Sequence, residues 1–120
     1  MEKYALDFSP PLIGFTGNFN TFRLGVAWTK RVKAGDRVLM VNTARSLVIA
    51  RARITDVDSG SLRDMAIKHG SQNHNHSEFS PDIAAQRITQ SMIKRYGPHK
   101  CSEDSKVTVI YLEIIEHAPV

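Results

Sequence analysis

The run Val107-Thr108-Val109-Ile110-Tyr111-Leu112-Glu113-Ile114-Ile115 constrains this chain more than any other segment. It is rich in β-branched and aromatic residues and predicts a strand over Lys106 to Glu116. Successive strand side chains point to opposite faces, and here both faces are apolar. A strand of that kind needs cover on each side and belongs in the middle of a sheet or barrel. Its partners must come from far upstream in the chain.

Three upstream segments qualify. Tyr4 to Phe8 predicts a short strand ended by Pro10-Pro11. Arg37 to Asn42 predicts a second, with Val38 and Met40 on one side and Leu39 and Val41 on the other. Leu47 to Val57 predicts a longer one after a turn at Thr43 to Ser46. In it Ala50, Ala52 and Ile54 face one way, and Arg51, Arg53 and Thr55 the other. Asp56-Val57-Asp58-Ser59-Gly60 reads as the turn that closes it. Leu12-Ile13-Gly14-Phe15 reads as a short helix or turn.

Two helices lie between the strands. Ser61-Leu62-Arg63-Asp64 places an N-cap before an acid three positions on. The helix runs to about His69, buries Leu62, Met65 and Ala66, and stops at Gly70. Ser80-Pro81-Asp82 starts a second helix, which Gly97-Pro98 ends after Tyr96. Ile83, Arg87, Ile88, Met92 and Ile93 trace its expected face. Helices bracketed by strands imply an α+β domain: a small, mostly antiparallel, closed or half-closed sheet with two or three helices outside it.

A chain of 120 residues fits one domain, 1–120. It carries a formal charge of +4, a mild pointer to a polyanionic partner. The single Cys101 allows no internal disulfide, and no basic start followed by an apolar run opens the chain. No apolar run approaches the ~20 residues of a membrane span. A cytoplasmic protein with no membrane partner is the expectation.

Asn20-Thr21-Phe22-Arg23-Leu24-Gly25 carries the chemistry. In an extended segment Thr21 and Arg23 point to the same side, joining a hydroxyl to a permanent cation. Gly35-Asp36 follows twelve residues after Arg23 and opens the strand at Arg37. Arg23 would clamp a phosphate or carbonyl with Thr21 beside it, or else tie the barrel together through a carboxylate such as Asp36.

Gly17-Asn18-Phe19-Asn20-Thr21-Phe22-Arg23, with Gly35-Asp36 after it, resembles the Gly-x-Lys-Thr-x-Thr-x-Arg signature of the ASCH group in the PUA-like superfamily. The resemblance is good over residues 13 to 57. It implies a PUA-like β-barrel and recognition of RNA or a nucleotide-like ligand in a cleft beside the signature. Some relatives are hydrolases, one type acting on acetylated cytidine and another on RNA. In the deacylating type a signature Lys, the second Thr and a Glu beyond the first helix act together. Thr21 matches that Thr and Arg23 matches the Arg. Asn18 stands at the Lys position, or Phe19 if the one-residue shortening falls elsewhere, and Asn73 stands at the Glu position. Two amides do not titrate near neutral pH, so binding is favoured over that catalysis. The resemblance implies a binding cleft of Asn18, Phe19, Thr21, Arg23 and Asn73.

Other groups carry weaker signals. His69, His74 and His76 offer general acid–base chemistry, with His69 and His74 joining Thr21 as catalytic candidates. No carboxylate recurs at ligand spacing beside them, so no metal site and no cofactor are expected. Lys30, Arg31, Lys33, Arg51 and Arg53 are candidates for a nucleic-acid backbone. Trp28 stacks a base or closes a barrel end, and Phe19 and Phe22 divide between core and cleft. Cys101 is a weak nucleophile candidate. The alternatives to binding are a hydrolase acting on RNA or an acylated nucleoside, and a protein-interaction module that inhibits a nucleic-acid enzyme.

Overall fold

The computed structural model describes residues 2–9 and 11–118. Five strands form one sheet: β1 (Glu2–Phe8), β2 (Asn18–Leu24), β3 (Arg37–Asn42), β4 (Leu47–Ser61) and β5 (Lys106–His117), in the order β1-β3-β4-β5-β2. β1 runs parallel to β3, and the other three pairings are antiparallel. The sheet curls into a half-barrel with β1 and β2 as its two edges. Three helices flank it: α1 (Trp28–Arg31), α2 (Leu62–His69) and α3 (Pro81–Tyr96). The α+β, mostly antiparallel, PUA-like architecture is the expected one.

β5 is central, between β4 and β2, because both its faces bury apolar groups. Ile110 and Leu112 join Leu6, Val38, Met40, Ala50, Ala52 and Ile54 in one cluster. Val107, Val109 and Tyr111 join Phe22, Leu62, Met65, Ile88 and Met92 in a second, under α2 and α3. The Ala50, Ala52 and Ile54 face of β4 is fully buried, as its alternation requires. No helix among the described residues is long and apolar enough to cross a membrane.

The structure corrects several local readings. Asp56 to Gly60 does not close β4, which continues to Ser61 and pairs with Tyr111 back to Lys106. Register shifts at Arg51/Ala52 and Ile54/Asp56 let this long strand bend. Asp56 and Asp58 accept their neighbours' backbone N–H groups at 2.9 Å, so turn-type side chains are accommodated inside a strand. Leu12 to Phe15 is irregular rather than helical. Pro10, expected to end β1 with Pro11, lies outside the described residues. α3 buries Ala84, Ile88 and Met92, whereas Ile83 is exposed. The i, i+4, i+8 spacing from Ala84 selects the packed face, and the larger Ile83 falls off it. α2 begins as expected, with the Ser61 hydroxyl accepting from the Asp64 N–H at 3.1 Å.

The segment between β1 and β2 lies hard against the loop after α2. Gly14 has φ +73°, and a Cβ there would stand 1.8 Å from the His74 carbonyl oxygen. Gly14→Ala therefore combines left-handed strain with a backbone clash. It should lower unfolding free energy by more than ~2 kcal/mol in urea titration. Gly17, also at positive φ but with open space around it, should lose only about 1 kcal/mol as Gly17→Ala. Equal losses at the two positions would refute the role of this close approach.

Candidate nucleic-acid site in the seam between the edge strands

β1 and β2 share no ladder, and a hollow opens where their ends approach each other. It is lined by Asp7, Phe8 and Ser9 on one side and Thr21, Phe22 and Arg23 on the other. His74 and Asn75 from the loop, and Arg95 and Tyr96 from the end of α3, complete it. Its space, open mouth included, is about 330 Å³. This suits one phosphate or one ring rather than a deeply enclosed molecule.

Arg23 and Thr21 sit side by side, as strand alternation dictates. The Arg23 Nε donates to the Thr21 hydroxyl at 3.3 Å, and its guanidinium carbon stands 5.0 Å from the Phe8 ring centroid. These contacts orient the guanidinium without neutralising it. Arg23 makes no ion pair among the described residues, and Asp36 instead accepts from the Lys33 N–H at 3.0 Å. Burial lowers the Arg23 pKa to about 10, opposed by Tyr96 and Asp7 and reinforced by Arg95. The group remains a cation at neutral pH.

His74 adds an acceptor. Its Nδ1 lies 3.2 Å from the Ile13 carbonyl, which can only accept, so Nδ1 carries the proton. Nε2 is then a lone-pair site while the ring is neutral. Burial, reinforced by Arg23 and His76, lowers the His74 pKa to about 4. The ring packs among Phe8, Phe15 and Phe19, with centroids 4.8–6.3 Å away. Asn75 presents a buried carboxamide oxygen with no partner among the described residues.

The loop carrying His74 is fixed from beneath. It docks on the free edge of β2, where the His74 N–H donates to the Asn20 carbonyl at 3.2 Å. Asn73 forms the adjoining bridge to Asn20. The Asn73 amide donates to the Asn20 carbonyl, and its oxygen accepts from the Asn75 N–H and His76 Nδ1, each at 3.0 Å. Asn20 in turn donates to the His69 carbonyl at 2.9 Å.

Several expected site residues lie elsewhere. Asn73 is buried beneath the loop and acts as its staple. Asn18 faces away from the hollow and accepts from the Thr55 hydroxyl at 2.6 Å. Phe19 is buried in the core against Phe15, while Phe22, also buried, forms part of the hollow's wall. His69 has both ring nitrogens engaged, Nε2 with Asp58 at 2.7 Å and Nδ1 with the Tyr111 hydroxyl at 2.6 Å. Tyr111 donates onward to Gln72, and burial raises its pKa. The hydrogen bond from His69 holds Asp58 below its usual range, with Lys68 assisting.

Arg51 and Arg53 pair across the sheet with Glu116 and Glu113, at 2.9 and 2.8 Å. Lys30, Arg31 and Lys33 are exposed on or beside α1, outside the hollow. Arg31 stacks over Trp28, 5.3 Å from its centroid, and Trp28 packs on the core. Cys101 is buried, which raises its pKa. Among the described residues no group of three or more His, Cys, Asp or Glu is placed to hold a metal ion. Sequence reading missed Arg95 and Tyr96, whose only signal was a cation and an aromatic residue just before a helix stop.

Comparison with solved structures settles the fold. A domain described as an ASCH domain, from Lactobacillus crispatus JV V101, superposes with a TM-score of 0.53 at 14% identity, over 87% of this chain and 67% of that one. The chain has an ASCH-like fold. The protein EF3133 of Enterococcus faecalis V583, assigned to the DUF984 family, matches with a TM-score of 0.59 at 14% identity over 87% of this chain. The present chain spans 63% of that protein's length. The hypothetical protein PH0355 matches with a TM-score of 0.58 at 16% identity, over 93% of this chain and 98% of that one. No family model matches the sequence, and no curated protein matches it.

The depressed His74 pKa has a signed consequence. Unfolded, His74 takes up a proton as pH falls below the ordinary imidazole value of 6.5; folded, it does so only near about 4. Between those values the unfolded state binds more protons, so stability rises with pH across that window. The gap corresponds to roughly 3 kcal/mol. Burial lowers the His76 pKa too, which adds in the same direction. Denaturant unfolding of His74→Gln between pH 7 and 4.5 should show a visibly flatter stability profile than the parent. Parallel profiles would contradict a neutral, buried imidazole.

Proposed function

We propose that this chain is an RNA- or nucleotide-binding module whose ligand group enters the seam between β1 and β2. The observation that carries the reading is Arg23: a largely buried guanidinium, facing a hollow, with no carboxylate partner among the described residues. Burying a charge without a counter-ion is costly, and an incoming anion offsets that cost. Arg95 contributes a second cation at the mouth. The Thr21 hydroxyl holds the guanidinium in place, and a neutral His74 can accept from an amino, imino or hydroxyl group of a nucleotide. The ASCH-like fold and the match to the signature at Thr21 and Arg23 support the same reading.

Hydrolysis has weaker support. Asn18 and Asn73, at the positions of the deacylating relatives' Lys and Glu, do not line the hollow and do not titrate. His74, with a pKa near 4, is a feeble base at neutral pH. His69 is engaged on both sides.

Uridine 5′-monophosphate titrated calorimetrically at low salt tests the proposal. Arg23→Ala should lose about 1.5–3 kcal/mol of binding, the worth of a hydrogen bond to a charged group. Arg51→Ala, which removes a cation already paired with Glu116, should bind as the parent does. Undiminished affinity in a folded Arg23→Ala protein would overturn the reading.

A further inference from the structure

Beyond the hollow, α3 presents a second group of cations. Arg87 and Lys94, with Gln90 and Ser91, line an open groove whose other wall is His76. On a helix, residues 87, 90, 91 and 94 share one face. Neither Arg87 nor Lys94 makes an ion pair among the described residues. The Arg87 guanidinium stacks on Phe79, 4.4 Å from its ring centroid, and the His76 ring lies 6.2 Å from Phe79. The groove therefore offers fixed charge, amide and hydroxyl donors, and the His76 ring.

Sequence neighbours line the groove and the hollow on both walls. On the helix, Arg95 lines the hollow and its neighbour Lys94 lines the groove. On the loop, Asn75 lines the hollow and its neighbour His76 lines the groove. From Arg87 to Arg95 the helix rises ~12 Å, at about 1.5 Å per residue. A stacked strand rises ~3.4 Å per nucleotide, so this length matches roughly three steps.

Resting on the nucleotide reading above, we infer that the ligand is a short single-stranded RNA segment. One base or phosphate group of a nucleotide sits in the seam hollow, and the phosphates that follow run along α3 over His76, Arg87 and Lys94. The backbone path thus follows α3, rather than the Lys30–Lys33 segment or the Arg51 and Arg53 face that the sequence singled out. Single-strandedness follows from the hollow, which suits one ring or phosphate of a splayed nucleotide and not a base pair.

The test compares uridine 5′-monophosphate with oligouridylates of two to six nucleotides, on the parent and on Arg87→Gln/Lys94→Gln. Both positions are exposed on the surface, and circular dichroism checks that the variant is folded. The parent should gain at least ~10-fold in affinity from one to four nucleotides as phosphates engage further cations. The double variant should lose most of that gain yet bind the mononucleotide as the parent does. Its slope of log affinity against log salt should shrink by about 1.4, at ~0.7 per phosphate contact on single strands. The inference alone fails if the double variant keeps the length gain, if Lys30→Gln/Lys33→Gln loses it instead, or if a blunt RNA duplex binds as tightly as the tetramer. Both readings fail if the mononucleotide does not bind, or binds independently of Arg23.

Discussion

An arginine that projects from an edge strand into a partly enclosed wall, with no ion pair to an acid among the described residues, sets the terms for this molecule. Removing a guanidinium from water is unfavourable, and a carboxylate partner is the usual remedy. Here a threonine hydroxyl and the face of Phe8 hold Arg23 in place and leave its charge unspent. Its pKa, lowered to about 10, still leaves it cationic at neutral pH. The contrast with Arg53 is instructive: that side chain lies on a more open face and reaches Glu113 at 2.8 Å.

The seam exists because the sheet does not close. β5 has partners on both sides, but β1 and β2 each have one, so their outer edges meet without a ladder. An open edge invites aggregation unless something covers it. The loop after α2 covers β2 at Asn20, and in doing so it brings His74 and Asn75 over the hollow. Edge protection and site construction are thus the same structural event. Gly14 permits the close approach, and the Ile13 carbonyl selects the tautomer that leaves the outer nitrogen of His74 as an acceptor.

Much of this was legible in the sequence where local pattern and tertiary demand agree. The alternation in β4, the two apolar faces of β5 and the Ser80-Pro81-Asp82 helix start each predict what forms. So does the shared direction of Thr21 and Arg23. Sequence fails where a distant partner overrides local preference. Asp56 to Gly60 has the composition of a turn, yet pairing with β5 holds it in a bent strand. Asn73 is polar enough for a site, yet three hydrogen bonds commit it to holding the loop. The cross-strand glutamates of Arg51 and Arg53 lie 65 and 60 positions downstream, too far for any local pattern to reveal. Arg95 enters the site only because α3 ends beside the seam, a fact of packing rather than of motif.

The side-chain Nε–H signals of the arginines, read by two-dimensional nitrogen–proton NMR while uridine 5′-monophosphate is added, address the central claim most directly. The account predicts saturable shifts at Arg23 and Arg95, with Arg51 and Arg53 unmoved. Saturable shifts at Arg51 or Arg53 with Arg23 silent would contradict it.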